Sequence, residues 1–174
     1  GESGPCGPDT EIFYWTGSEK APARFDVKDK RWVEIWNNVF MQYFKTKNGT
    51  IEELEHKNVD TGMGVERTLA VLNGLKDNYK TSIFEPIVRE IEFICGRPYE
   101  GNEKAMRIIA DHLRAAVFIL GEDKAIKPGN IGQGYVLRRL VRRAIRYGKL
   151  LGIEQSFTKK IAEAIVINYT YCPE

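Results

Sequence analysis

The sequence predicts an α+β chain, with an antiparallel sheet in its first part and helices in its second, on three observations. Residues 31–45 (RWVEIWNNVFMQYFK) form a long aromatic-rich run without Gly or Pro. The run lacks the polar face a surface helix needs, so extended structure suits it better. Asn48-Gly49 follows closely, a dipeptide that supplies the positive φ of a tight hairpin turn. From residue 81 onward, apolar residues recur every three or four positions, the spacing of one helical face.

The opening GESGPCGP holds five Gly or Pro in eight residues and reads as a loop, the start of a piece of a longer chain. Residues 11–15 (EIFYW) are β-prone. In the strand at 31–45, Trp32, Glu34, Trp36, Asn38 and Phe40 share one parity, while Val33, Ile35, Asn37, Val39 and Met41 share the other. The returning strand is expected at 51–59. Residues 60–64 (DTGMG) then break the pattern, and 65–72 is a helix stopped by Asn73-Gly74. Further helices are expected at 81–95, ended by Gly96-Arg97-Pro98, at 103–120, closed by Gly121, at 135–151 and at 158–167. A boundary near 74–82 separates two domains, 1–76 and 77–174.

At 174 residues the chain is long enough to bury a core, and 43% hydrophobic with 29% charged residues excludes collagen and long disorder. Three cysteines, at positions 6, 95 and 172, and two histidines, His56 and His112, lack the spacing of a disulfide scaffold or a zinc site. Both histidines read as structural, and no metal site is expected. No apolar run is long enough for a membrane span. Charge is divided unequally. Residues 1–102 carry 13 Lys+Arg against 17 Asp+Glu, whereas 103–174 carry 13 against 7, so a polyanion is expected to meet the second half.

Two constellations carry chemistry. In Asp60-Thr61-Gly62-Met63-Gly64-Val65-Glu66-Arg67, glycines at a strand-to-helix junction let a ligand approach the backbone, and Arg67 offers a forked cation to a phosphate. The plain alternatives are a turn whose arginine pairs with a surface acid, and an N-cap role for Asp60. On the helix at 135–151, Arg138, Arg139, Arg142, Arg143, Arg146 and Lys149 fall within an arc of roughly 140° at helical spacing. No acid interrupts the run. Like charges one turn apart repel, so an anionic partner is expected there, and guanidinium forks suit phosphate. A solvated helix face is the alternative.

The string GMGVER after an antiparallel strand resembles motif 3 of the class II aminoacyl-tRNA synthetases. GPCGPDTE at 4–11, EIWNNVFMQ at 34–42, RIIADHLR at 107–114 and GYVLRRLVRRA at 134–144 are similar, in the same order, to the alanyl-tRNA synthetase family. The resemblance implies a partial class II antiparallel sheet followed by a helical tRNA-recognition domain. It places the alanine ammonium against Asp60, with Asn37, Val39 and Gly62 around the amino acid. ATP falls to Trp36, Gly64 and Arg67, and tRNA(Ala) to Asn130, Arg138, Arg139, Arg142, Arg143 and Arg146. Magnesium is implied with ATP, and Glu34 is a candidate to reach it. Trp36 and Val39 also read as core residues, and Asn130 as a turn residue.

Motif 1 and motif 2 are not found, and Val88-Arg89-Glu90 lies on an amphipathic pattern that does not replace them. The implication is an internal piece whose partners include the strands of motifs 1 and 2 and an editing domain of the parent chain. Such a piece is expected to be inactive alone, and the parent is expected to be cytoplasmic. A noncatalytic RNA-binding relative and a purely structural helical scaffold are the rival readings.

Overall fold

The structure, a computed structural model, describes residues 2–170 and has the α+β architecture the sequence predicts. Its elements are β1 (Gly4–Cys6), β2 (Asp9–Trp15), β3 (Trp32–Lys45), β4 (Ile51–Met63), α1 (Val65–Leu72), a 3-10 turn at Asn78–Lys80, α2 (Glu85–Cys95), α3 (Glu103–Gly121), α4 (Gly132–Leu150) and α5 (Thr158–Asn168). The chain divides into two compact units between residues 78 and 79.

In the first unit the long β3 is the spine. Along one edge it pairs antiparallel with β1 and then β2, and along the other with β4. Gly7 and Pro8 make the joint between β1 and β2. Here Phe40 N–H donates to the Pro8 carbonyl at 2.9 Å, and a Cβ on Gly7 would fall 1.6 Å from the Phe40 oxygen. Only glycine allows so close a crossing. The β1 segment therefore belongs to the sheet, where the sequence suggested loop, and Pro5 is tolerated because β1 is an edge strand.

Two irregularities set the register. Ile12 pairs with Trp36 but Phe13 with Glu34, so Ile35 is an extra residue on β3. This bulge moves Glu34 and Trp32 onto the face of Asn37 and Val39, correcting the simple parity of the sequence. Between the pairs Met41↔Asn58 and Tyr43↔Glu53, β4 has four residues against one on β3. The β4 strand also continues to Met63 instead of breaking at Asp60, because β3 extends far enough to pair with it. Consequently the N-cap of α1 is Gly64, and Asp60 is a strand residue.

No second layer covers this sheet: among the described residues of the first unit only Ala70 is buried. Aromatic contacts at one end of the sheet substitute for a core. Phe13 meets Phe25, Phe25 meets Trp32 and Trp32 meets Trp15, at ring-centroid distances of 4.7, 5.5 and 5.0 Å. The β2–β3 connection is braced there by Arg31, which stacks 4.5 Å over Trp15, forks onto Asp29 and reaches Glu19.

The second unit holds the apolar core, built from Ile87, Val88 and Ile91 of α2, Met106, Ile109, Ala110 and Leu113 of α3, Ala144 of α4 and Ile161 and Ile165 of α5. The α2 helix starts at Glu85, later than its apolar spacing suggested. Pro86 suits a first helical turn and cannot sit deeper, and the 81–84 turn instead closes through Phe84 and Glu85 N–H bonds to the Thr81 carbonyl. Two arginines of the RIIADHLR string are structural. Arg107 Nε donates to the Tyr99 hydroxyl and Arg114 Nε to the Tyr169 hydroxyl, each at 2.7 Å, and Arg114 also stacks 5.0 Å over Phe84. Gly148 lets α4 meet Phe157, whose ring would stand 2.4 Å from a Cβ.

Two predictions follow from the packing. Ile109 is fully buried whereas Ile131 is 86% exposed. Ile109→Ala should therefore cost about 2–5 kcal/mol in denaturant unfolding of the second unit, and Ile131→Ala within about 0.5 kcal/mol of nothing. Separately, the Arg31 side-chain bond and then the Arg31 backbone N–H hold the Asp29 carboxyl below the usual carboxylate range. A depressed folded value means the brace acts above the unfolded carboxylate range and is lost as pH falls through the folded one. An NMR titration should find the Asp29 midpoint lower in wild type than in Arg31→Gln.

Candidate functional site

The register of β3 and β4 assembles the first site. Asn37 lies directly opposite Gly62, and Val39 directly opposite Asp60. Directly paired residues of an antiparallel sheet share a face, so all four project on one side. On the other edge of β3, Glu11 stands opposite Asn37 and Asp9 opposite Val39. The patch is thus acidic, with Asn37 Nδ2 directed to Asp9 Oδ2 at 3.4 Å. Asp60 and Gly62 are exposed, and Asn37 and Val39 are half-buried. A Cβ built on Gly62 would meet nothing within 4 Å, so nothing in the packing of this unit calls for glycine there.

Farther along β3 the same face bears Glu34, and Arg67 comes down on it from the first turn of α1. Arg67 Nη1 donates to the Glu34 carbonyl at 3.0 Å and lies 3.5 Å from its carboxylate. Gly64 makes this placement possible in two ways. Its N–H extends the strand pairing to the Ile35 carbonyl at 3.0 Å, and its missing Cβ leaves the Arg67 stem close passage, 3.3 Å from where that Cβ would stand. The Arg67 side chain stays about half exposed.

Trp36 is not brought to this patch. It pairs with Met63 and Ile12 on the opposite face, where its indole N–H donates to Thr61 Oγ1 at 2.5 Å and Thr61 in turn donates to Asn38 Oδ1 at 2.7 Å. Sequence reasoning missed Asp9 and Glu11 as neighbours of the patch. Their place depends on strand pairing across some thirty residues, which no local signal carries.

The second site lies wholly in the second unit. The α4 helix starts at Gly132, three residues before the expected Tyr135, and presents Arg138, Arg139, Arg142, Arg143, Arg146 and Lys149 as exposed side chains. Its other side carries Leu137 and Ala144, both fully buried. The arginines do not act as one undivided face. Arg139, Arg142, Arg143 and Arg146 line a cleft of about 580 Å³ together with Val136, Leu140 and His112. Among the described residues none of these four has a carboxylate partner; Arg139 and Arg143 lie 5.8 and 6.0 Å over the rings of Tyr135 and Tyr147. Lys149 lines a different cleft, with Phe157 and Thr158.

Arg138 turns toward the preceding loop, where its Nη1 donates to Asn130 Oδ1. Arginine has no acceptor, so the amide oxygen is the atom that meets it and the NH2 is not used in this contact. The acceptor of the amide is thus engaged within the chain. The loop is cinched by Gly129 N–H bonding to the Gly134 carbonyl at 2.9 Å, and a Cβ on Gly134 would stand 2.7 Å from the Lys127 carbonyl oxygen.

Among the described residues no three His, Cys, Asp or Glu side chains gather as a metal site, and no helix is long and apolar enough to cross a membrane. Cys6 and Cys95 are free thiols, and Cys172 lies outside the described residues.

Comparison with known proteins gives the family of the chain. The family model described as tRNA synthetases class II (A) matches residues 1–172. The alanine–tRNA ligase of Treponema denticola is 53% identical over 171 residues, covering 95% of this chain and 28% of that protein. That of Borrelia hermsii is 51% identical over 170 residues, covering 95% of this chain and 29% of that protein. That of Streptococcus mutans is 43% identical over 185 residues, covering 99% and 21%. The chain thus spans less than a third of the length of these curated relatives. With the motif order, the sheet-then-helices architecture and a family match along nearly every residue in agreement, the chain belongs to the class II tRNA synthetases (A), the family of the alanyl-tRNA synthetases.

Proposed function

We propose that the chain is a working part of an alanine–tRNA ligase: its sheet binds alanine and ATP for adenylate formation, and its helical unit binds the acceptor stem of tRNA(Ala). The observation that carries this reading is the pairing of Asn37 with Gly62 and Val39 with Asp60 on one open sheet face. A small zwitterion needs a carboxylate for its ammonium, a polar group for its carboxylate end and limited room for its side chain. Asp60, Asn37 and Val39 supply these in turn, and the empty space above Gly62 is where the ligand sits.

Arg67 takes an ATP phosphate oxygen, exchanging its present contact with the exposed Glu34 carboxylate for a phosphate. Magnesium fits this face only as ATP brings it. Mg2+ is commonly held by one or two carboxylates plus phosphate oxygens, and Glu34 is the carboxylate in reach of Arg67. When bound, the ion screens charge on the phosphates. Trp36, bonded to Thr61 on the reverse of the sheet, stiffens the strand pair behind Asn37 and Asp60. Catalysis then rests on positioning and on charge stabilisation, with no covalent enzyme intermediate.

In the helical unit, the arginines of α4 hold backbone phosphates and so position the stem without reading its sequence. The NH2 of Asn130, not used by Arg138, meets acceptor atoms at the minor-groove edge, the accessible groove of A-form RNA. We place this activity in the cytoplasm. A noncatalytic RNA-binding role would leave Asp60, Asn37 and Arg67 unused.

Two expected outcomes test the reading. In a full-length ligase containing this segment, Asp60→Asn should weaken use of alanine by one order of magnitude or more, as expected from about 2 kcal/mol for an unpaired ammonium. Its effect on ATP should be small, and Arg67→Ala should show the reverse pattern. Equal losses for both substrates with Asp60→Asn would refute the assignment. The 174-residue chain alone should give no alanine-dependent pyrophosphate exchange.

For the helical unit, binding of an acceptor-stem hairpin should weaken as salt rises. Arg142→Ala should reduce affinity for alanine-acceptor and unrelated hairpins about equally. Asn130→Ala should change the preference between them. Salt-independent binding, or equal losses on both hairpins with Asn130→Ala, would count against the RNA assignment.

A further inference from the structure

His112 has no part in the chemistry derived so far, and its sequence context reads as structural. Yet its ring lines the same cleft as Arg139, Arg142, Arg143 and Arg146. Its side chain is only 14% exposed, and Nδ1 lies 3.0 Å from Asp111 Oδ2. An ionised carboxylate only accepts, so this contact fixes the proton of the neutral ring on Nδ1. Nε2 is left without a hydrogen-bond partner among the described residues.

We propose that this cleft between α3 and α4 is a discrete site for backbone phosphodiesters of RNA, in which His112 takes up a proton as the anion binds and donates Nε2–H to it. The proposal rests on the RNA-binding reading of α4 and goes beyond it, because it makes stem binding depend on pH.

Three features of the cleft support it. Its four guanidiniums have no carboxylate partners among the described residues, so their charge is available to a ligand. Its volume of about 580 Å³ far exceeds what one free phosphate needs, which suits consecutive phosphates of a strand. It also places a titratable ring among cations, where the balance of charge turns on the ligand. The charged groups around the ring are the guanidiniums of Arg139, Arg142, Arg143 and Arg146 of α4 and the adjoining Asp111 carboxylate. The helices α2 and α5, which also pack on α3, contribute no group to the lining.

A bound phosphodiester offsets the guanidiniums and accepts the new N–H. The step balances simply: one proton comes from solvent to Nε2, and no covalent bond to the ligand forms. Proton uptake and anion binding then favour each other by equal amounts. The sign follows. Binding is strengthened where His112 is protonated in the complex and loses that increment as pH rises through histidine's range. RNA phosphodiesters keep their charge throughout this range, so the dependence belongs to the protein.

The test titrates the 174-residue chain with an acceptor-stem RNA duplex at about pH 6 and about pH 8. His56, in β4 of the other unit, is the only other histidine in the sequence, so His56→Gln is the control. In parallel, NMR follows the His112 ring of the wild type at about pH 6 as sulfate is added, which needs no variant. Wild type and His56→Gln should bind RNA about tenfold tighter at the lower pH, the scale of one charge-assisted hydrogen bond. His112→Gln should lose that difference, and sulfate should shift the His112 ring resonances.

RNA binding that depends on salt but not on pH, with a His112 ring indifferent to sulfate, would overturn the proposal and leave the RNA-binding reading standing. Absence of RNA binding with a His112 ring still shifted by sulfate would keep the anion site and remove RNA as its ligand. Absence of both would remove both.

Discussion

The register between β3 and β4 is the constraint on which the alanine reading depends. A slip of one residue would turn Asp60 and Gly62 to the reverse of the sheet and bring Thr61 and Met63 forward. Nothing in the first unit buries a hydrophobic layer that would penalise such a slip, since its faces are largely open. The register is held instead by polar and geometric devices. These are the Trp36–Thr61–Asn38 hydrogen bonds behind the strands, the Gly64 bond to Ile35, and the extra residues of β4 between Glu53 and Asn58. The bulge at Ile35 adds a second control, because it brings Glu34 to the face where Arg67 can meet it.

The two units solve opposite electrostatic problems. The sheet gathers carboxylates at Asp9, Glu11, Asp60 and Glu34 with one nearby guanidinium, an acidic face with a single cation at its edge. In the helical unit, the arginines of α3 are used in packing. Arg107 and Arg114 sit against tyrosine hydroxyls and aromatic faces, where their charge is compensated by hydrogen bonds and ring quadrupoles. The exposed Arg89 of α2 pairs with Glu85, whereas the exposed arginines of α4 have no carboxylate partner among the described residues. The motif RIIADHLR is therefore divided in purpose: its arginines fasten α3 to its neighbours, and its histidine faces the cleft.

Much of this was legible in the sequence, and the misses have particular causes. The strand at 32–45, the Asn48-Gly49 turn and all four later helices followed from periodicity and punctuation. Residues 60–63 were misassigned because two glycines read locally as a break, whereas pairing along a long β3 outweighs their poor strand propensity. The late start of α2 turns on Pro86, and the β1 strand on backbone bonds that residue type does not encode. At the sites, the residue identities were readable, but Trp36 facing away, Asp9 and Glu11 joining the patch and Arg138 orienting Asn130 all depend on partners distant in sequence or on side-chain direction.

The empty space above Gly62 has a meaning for protein engineering. In a close-packed interior, every change of side-chain volume disturbs neighbours and so mixes loss of fold with change of preference. At Gly62 the two are separable within this unit, because an added methyl group meets no protein atom. On the alanine reading proposed above, position 62 is a dial for amino-acid selectivity that an added methyl group turns without disturbing this unit.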